Sequence, residues 1–297
     1  MQDDIFNHIP LNECFKRRSA KILQRKQKKY DYYNPFFIKW ALYIPNKKVR
    51  NTINQAFHRC RPYLDKVFLD RFPIKSEFPW RFWELFLCNF LLTKDITLES
   101  KKKNEGTPDF CILFESRKIW IEARSPSEHD SIKDLWSWVH QLDEISMPRY
   151  LRLSGAFIDK SITWYETYLK NWCKVDEPFI IAINGSEIDS WSTDKWMLGI
   201  LYGIWLTQFD KNWNMSYQNL SHLKKNDTES FEIWYFRKPE FSHVSWVIYL
   251  ESSIDFENED IVVEHESFQY IPNINAKNPV PDAFIEKLNL HIPINFQ

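Results

Sequence analysis

Residues 107–124 read TPDFCILFESRKIWIEAR. Two apolar runs, Asp109–Glu115 and Lys118–Arg124, flank Ser116-Arg117, and this predicts a β-hairpin closed by a two-residue turn. In that register Glu115 pairs with Lys118, Cys111 lies opposite Glu122, and Asp109 lies opposite Arg124. Strand side chains alternate between faces. Asp109, Cys111, Glu122 and Arg124 therefore share one face, while Phe110, Ile112, Phe114, Ile119, Ile121 and Ala123 form a core-facing set on the other. Asp109 and Glu122 become diagonal neighbours, with Cα atoms about 7–8 Å apart. Two carboxylates so placed can share one hard cation such as Mg²⁺, which prefers oxygen ligands.

Upstream, Pro79 precedes a helix predicted over residues 80–92. Glu84 sits in it among Phe82, Trp83, Leu85, Phe86 and Leu87, and a helix apolar nearly all round is mostly buried. A buried carboxylate is costly unless it is paired or bound to a metal. Glu84 is thus either a third carboxylate for the same cation or the partner of Arg81 or a core hydroxyl. A short strand is expected at Ile96–Glu99, followed by a polar loop at Lys101–Thr107. Downstream, helices are expected over 131–146 and 155–172. Phe179–Asn184 (FIIAIN), bounded by Pro178 and Gly185, suits a buried strand. The order is helix, strand, strand, strand, helix, strand.

Further out, residues 16–29 (KRRSAKILQRKQKK) read as a basic helical segment, and Tyr30–Pro35 as a turn-like break. Residues 36–70 look helical, with Trp40, Leu42, Ile53, Phe57, Tyr63, Leu64, Val67 and Phe68 as core positions. Pro45 and Pro62 divide them into two or three helices. Lys195–Thr207 resembles an apolar helix, Phe231–Phe236 and Val244–Leu250 alternate like antiparallel strands, and Ile271–Pro281 reads as a surface segment rich in Pro and Asn. This gives three regions: a basic helical N-terminal region over 1–75, a core over 76–190, and a C-terminal extension over 191–297 packed on the core.

Thr107-Pro108-Asp109 followed by Ile121-Glu122-Ala123-Arg124 resembles the P-D…(D/E)-x-K signature of the PD-(D/E)XK nuclease superfamily. Glu84 stands where that superfamily often carries a first-helix Glu, and the order of elements is similar. The resemblance covers Glu84 to Arg124, with a core extending to about Asn184. It implies an α/β fold with a restriction-endonuclease-like αβββαβ core, a helical N-terminal region and extra C-terminal strands. It also implies Mg²⁺- or Mn²⁺-dependent hydrolysis of phosphodiester bonds, in DNA ahead of RNA. Asp109, Glu122, the Ala123 carbonyl and Glu84 would hold the metal. The departure is Arg124, where the family has lysine. Arginine keeps the charge but cannot act as a base at ordinary pH. It could stabilise an oxyanion, or the lysine could have migrated, with Lys160 on the following helix as the substitute. Arg149, Arg152 and Lys160 are candidate phosphate contacts. The alternative is a catalytically reduced protein of the same fold that binds nucleic acid or a protein partner without cleaving.

Plainer readings stand beside these. Asp109 and Arg124 could form a cross-strand salt bridge with Glu122 as a solvated face residue. Gln141 is a surface glutamine or a helper of the site, and Trp136, Trp138 and Val139 are core candidates.

The composition bounds the alternatives. The 297 residues are 44 % hydrophobic and 27 % charged, with 14 Trp, 13 Tyr and 23 Phe but 5 Gly. Neither a P-loop nor a Rossmann glycine pattern occurs. Five dispersed cysteines without a C-x-x-C pair suit reduced thiols. The eight histidines form no H-E-x-x-H pattern, so a zinc hydrolase lacks support. No signal-like or membrane-spanning stretch is read, which suits a cytoplasmic chain. Formal charge is −1 overall, but residues 1–62 carry 14 Lys/Arg against 4 Asp/Glu and residues 240–297 carry 2 against 10. A basic front end suits a polyanionic partner.

Overall fold

The computed structural model describes residues 47–100, 106–126, 142–185, 195–209, 215–224, 230–250 and 268–288. The basic run at 16–29, the break at 30–35, Trp40, Leu42, Trp136, Trp138, Val139 and Gln141 lie outside them.

Helix α1 (Lys47–Cys60) ends before a 3₁₀ turn, Arg61–Tyr63, that contains Pro62. A short helix α2 (Phe68–Arg71) and the long α3 (Phe78–Thr93) follow, the latter with Pro79 in its first turn, where a missing N–H costs nothing. Ile53, Phe57, Leu64 and Phe68 are buried as expected. Val67 is not: it lies just outside α2 and stays exposed.

The hairpin comprises β1 (Phe110–Phe114) and β2 (Arg117–Arg124). The expected strand at Ile96–Glu99 reduces to one bridge, Leu98 to Ile112, flanked by backbone bonds from Glu99 to Cys111 and from Leu113 to Thr97. Next come α4 (Leu142–Thr163), a π-helical turn (Trp164–Tyr168) and β3 (Phe179–Asn184). The gap expected between helices at 131–146 and 155–172 does not exist. Helix α4 runs through both Pro148 and Gly155, anchored by buried Leu153, Phe157 and, in the π turn, Trp164.

Helix α5 (Lys195–Tyr202) is shorter than the expected 195–207. Gly203, at φ +94°, terminates it in the left-handed conformation that glycine tolerates. Two small hairpins follow, β4 (Ile204–Phe209) with β5 (Met215–Leu220), and β6 (His222–Lys224) with β7 (Ser230–Glu232). The strand expected over 231–236 stops at Glu232, because Trp234 turns the chain at φ 75° into a 3₁₀ turn, Tyr235–Arg237. Then come β8 (Val244–Leu250), β9 (Phe268–Pro272) and α6 (Asp282–Leu288).

The main sheet has the order β1-β2-β3-β8-β9, so the molecule is a mixed α/β fold. Strands β2, β3 and β8 are mutually parallel, and β1 and β9 are the antiparallel flanks. Strand β8 has the expected antiparallel neighbour in β9 but pairs in parallel with β3 on its other side. All seven of its residues are buried, as expected of a parallel strand covered on both faces. Ile271, Pro272 and Asn273 likewise belong to the sheet edge and its tie-down rather than to a surface run. Asn273 donates to the carbonyls of Phe241 and Val244, and its Oδ1 accepts from the Asn275 N–H.

Two apolar layers enclose the sheet. One holds Phe110, Ile112, Ile119, Ile121, Ala123, Ile180 and Ile248 against α1, α3 and α6. The other holds Cys111, Trp120, Phe179, Ile181, Ile183 and Val247 against α4, the π turn and α5. The Trp83 indole N–H donates to the Ala182 carbonyl at 3.1 Å and pins α3 across the centre of the sheet.

Candidate functional site

The hairpin fixes the site, and its register differs from the expected one. The turn residues are Glu115 and Ser116, with φ of 46° and 66°, so Phe114 pairs with Arg117 and Phe110 with Ile121. Two consecutive left-handed residues define a type I′ turn, whose hand matches strand twist. Neither residue is the Asn, Asp or Gly that usually announces such a turn. The face assignment survives the shift, because the slip in pairing is two residues and side chains alternate with period two. What changes is proximity. One step beyond the Phe110–Ile121 pair, Asp109 falls directly opposite Glu122, where Cβ atoms are typically about 4.5–5.5 Å apart. Asp109 no longer faces Arg124, so the cross-strand salt bridge is not formed by the register.

Both carboxylates are buried, Asp109 at 7 % exposure and Glu122 at 3 %. Asp109 Oδ2 accepts the Ala123 N–H at 2.8 Å, so the side chain takes over a rung of the ladder where β1 has ended. Glu122 Oε1 receives the ammonium of Lys160 at 2.6 Å. Its other oxygen, Oε2, is buried with no hydrogen-bond partner at normal distance among the described residues. Burial and the neighbouring Asp109 charge push the Glu122 carboxyl up to about 7, against the opposing pull of Lys160 and Tyr168. Tyr168 closes the π-helical turn after α4, and its hydroxyl is held protonated by burial and by the Glu122 and Asp109 charges. Single π turns inside helices recur at functional sites.

Glu84 is fully buried on α3. Its Oε2 is 2.8 Å from Arg81, which also contacts Asp65 at 2.7 Å. Burial opposes the Arg81 charge, but the two carboxylates outweigh it and raise its pKa. The Arg81 guanidinium stacks on Trp80 at 4.5 Å, and Lys160 Nζ lies 6.0 Å from the same ring. Among the described residues, no three His, Cys, Asp or Glu side chains converge as a metal-binding group. Asp109 and Glu122 are the two neighbouring carboxylates that could hold a hard cation.

Arg124 is half-buried on the Glu122 face of β2. It lines a cleft of about 290 Å³ together with Ser76, Trp80, Ser125, Arg152 and Gly155. Arg152 is exposed on α4, and the side chain of Arg149 lies outside the described residues. Cys111 shares the Glu122 face, but burial and Glu99 push its thiol up to about 12, so it is a core residue rather than a nucleophile.

Lys160 and Arg152 share one stripe of α4, eight residues apart. Trp80 and Tyr168 enter the site without a motif to announce them. Trp80 precedes Glu84 by four positions on α3, a helical spacing that places both on one face. The π turn that carries Tyr168 has no local sequence mark.

No helix among the described residues is long and apolar enough to cross a membrane. No family model, no curated protein and no solved structure matches the chain.

Proposed function

We propose that the chain is a divalent-metal-dependent nuclease that hydrolyses phosphodiester bonds in DNA. The observation that carries this reading is the 2.6 Å contact between Lys160 and Glu122, beside Asp109. The residue types of the P-D…E-x-K signature meet in space, although the lysine comes from α4 and not from β2. The topology supports the same reading: a helix, a bridge strand and an antiparallel hairpin whose second strand runs parallel to β3, as in a restriction-endonuclease-like core.

Asp109 and Glu122, with the Ala123 carbonyl at the same strand end, would hold Mg²⁺ or Mn²⁺. A bound cation supplies Lewis-acid chemistry and makes water a better nucleophile. Lys160 donates to Glu122 at 2.6 Å and would orient the attacking water or take up its proton. Arg124 cannot serve as that base and instead faces the cleft where a phosphate would lie. The layer of Cys111, Trp120, Trp164 and Tyr168 under the carboxylates excludes bulk water and strengthens each charge interaction.

The test is cleavage of linear, circular and single-stranded DNA, and of RNA, with Mg²⁺, Mn²⁺ or EDTA. Metal-dependent cleavage should vanish in Asp109→Ala and Glu122→Ala. Absence of cleavage on every substrate favours the second reading, a catalytically reduced binder. That reading draws on the ion pairs Glu122–Lys160 and Glu84–Arg81, which neutralise two of the three candidate carboxylates without a metal.

A further inference from the structure

We infer that the cleft between α3, the end of β2 and α4 is a phosphate subsite, holding a backbone phosphate of a nucleic-acid strand with the adjoining nucleoside against Trp80. Its role as part of a nuclease rests on the function proposed above. Its existence rests on the cleft alone.

The lining decides the charge of the ligand. Ser76, Trp80, Arg124, Ser125 and Arg152 line the cleft, and among the described residues no acidic side chain does. Three polar atoms of these lining residues are buried without a hydrogen-bond partner among the described residues: the Trp80 indole N–H, Arg124 Nε and the Ser125 hydroxyl. The first two only donate, and a serine hydroxyl can. Ser125 itself is 8 % exposed. Buried polar groups are almost always satisfied, so three donors left over around one cleft point to an acceptor supplied from outside. A phosphate accepts through several oxygens and meets arginine with two parallel bonds.

The shape agrees. The cleft is at the lower end of ligand-pocket sizes, fit for one nucleotide rather than for a folded partner. Its helical wall contains Gly155, at which an added Cβ would meet nothing within 4 Å. A glycine in the middle of a helix weakens that helix. At this position it clears the wall so that a ligand can approach the backbone. Arg124 follows Glu122 by two positions on the same face, which sets the bound phosphate beside the carboxylate pair. The arginine at the motif position thereby gains a task of its own: it holds the strand while Lys160 serves the carboxylates.

The experiment is calorimetric titration of the full chain with inorganic phosphate, thymidine 5′-monophosphate and oligothymidylate, in EDTA to remove any metal contribution. Binding should rise in that order, because the last two add the base and further phosphates. Arg124→Gln and Arg152→Gln should each weaken oligothymidylate binding about tenfold or more, the usual effect of losing a charge-assisted bond. Gly155→Leu should weaken it as much while leaving the melting temperature at or above that of the parent, which separates a filled cleft from a damaged fold. Phosphate binding without cleavage would dispose of the nuclease and keep the subsite. Absence of binding to all three ligands, or Gly155→Leu binding like the parent, would overturn the subsite even if cleavage is found.

Discussion

Lys160 crosses from α4 to within 2.6 Å of Glu122, a residue 38 positions earlier on β2. If this pair does chemistry, Lys160→Met should lower the cleavage rate by about 10²–10⁴-fold, the usual contribution of a positioned proton carrier. Lys160→Arg should not restore it, because a guanidinium keeps its proton. DNA affinity in EDTA should change far less than the rate. Single-turnover cleavage beside filter binding checks both.

The raised carboxyl of Glu122 makes stability depend on pH. The folded state takes up a proton that the unfolded chain, with an ordinary carboxylate near 4.5, releases earlier. Stability is fully present below about pH 4.5 and declines as pH rises through about 7. The shift bounds this loss at about 3 kcal/mol. Calorimetric melting at pH 5 and pH 8 should show a smaller decline in Glu122→Gln than in the parent. Added Mg²⁺ should raise the parent's melting temperature at pH 8 and not at pH 5, since the cation competes with the proton.

Gly203 and Gly155 should respond oppositely to alanine. At Gly203 the new Cβ would lie 1.4 Å from Trp234 Nε1, at a φ of +94° that side chains avoid. Urea unfolding of Gly203→Ala should show a loss of about 3 kcal/mol or more. Gly155→Ala meets nothing, and should gain about 0.5–1 kcal/mol from helix propensity.

Arg81 bridges Glu84 and Asp65 in a buried cluster. Arg81→Leu removes the counter-charge of a fully buried Glu84 and should cost about 3–5 kcal/mol. Arg81→Leu with Glu84→Leu should recover most of it, measured by the same unfolding curves. If Glu84 also serves a metal, the double variant will be stable and inactive.

The Glu115-Ser116 turn uses two left-handed residues of types that disfavour them. Replacing the pair by Asn-Gly should stabilise the chain by about 0.5–2 kcal/mol and leave the register unchanged. Had the turn been at Ser116-Arg117, the same replacement would shift the pairing and destabilise the hairpin.

What was legible in the sequence follows the strength of the local signal. The period-two pattern of Phe110 to Ala123 assigned both faces of the hairpin, because a register error of two residues leaves faces intact. The same error hid the direct opposition of Asp109 and Glu122, since Glu115 and Ser116 give no turn signature. Glu84 was legible as a buried carboxylate from its apolar neighbours, and Arg81 was among its foreseeable partners. The division into helices at 131–146 and 155–172 is overridden by the buried anchors Leu153, Phe157 and Trp164, which carry one helix across the interval. The parallel course of β8 depends on a partner 60 or so positions away, and alternation alone cannot reveal it.

Because β2, β3 and β8 run parallel, they finish at a common rim, at Arg124, Asn184 and Leu250. Glu122 and Arg124 lie at the end of the first of these strands, so the proposed site sits on that rim. The connections that follow these strands leave from this rim, with the ladder behind it. Descendants of this chain could therefore exchange one target for another by rewriting the connections after these three strands, with the framework conserved as a common chassis.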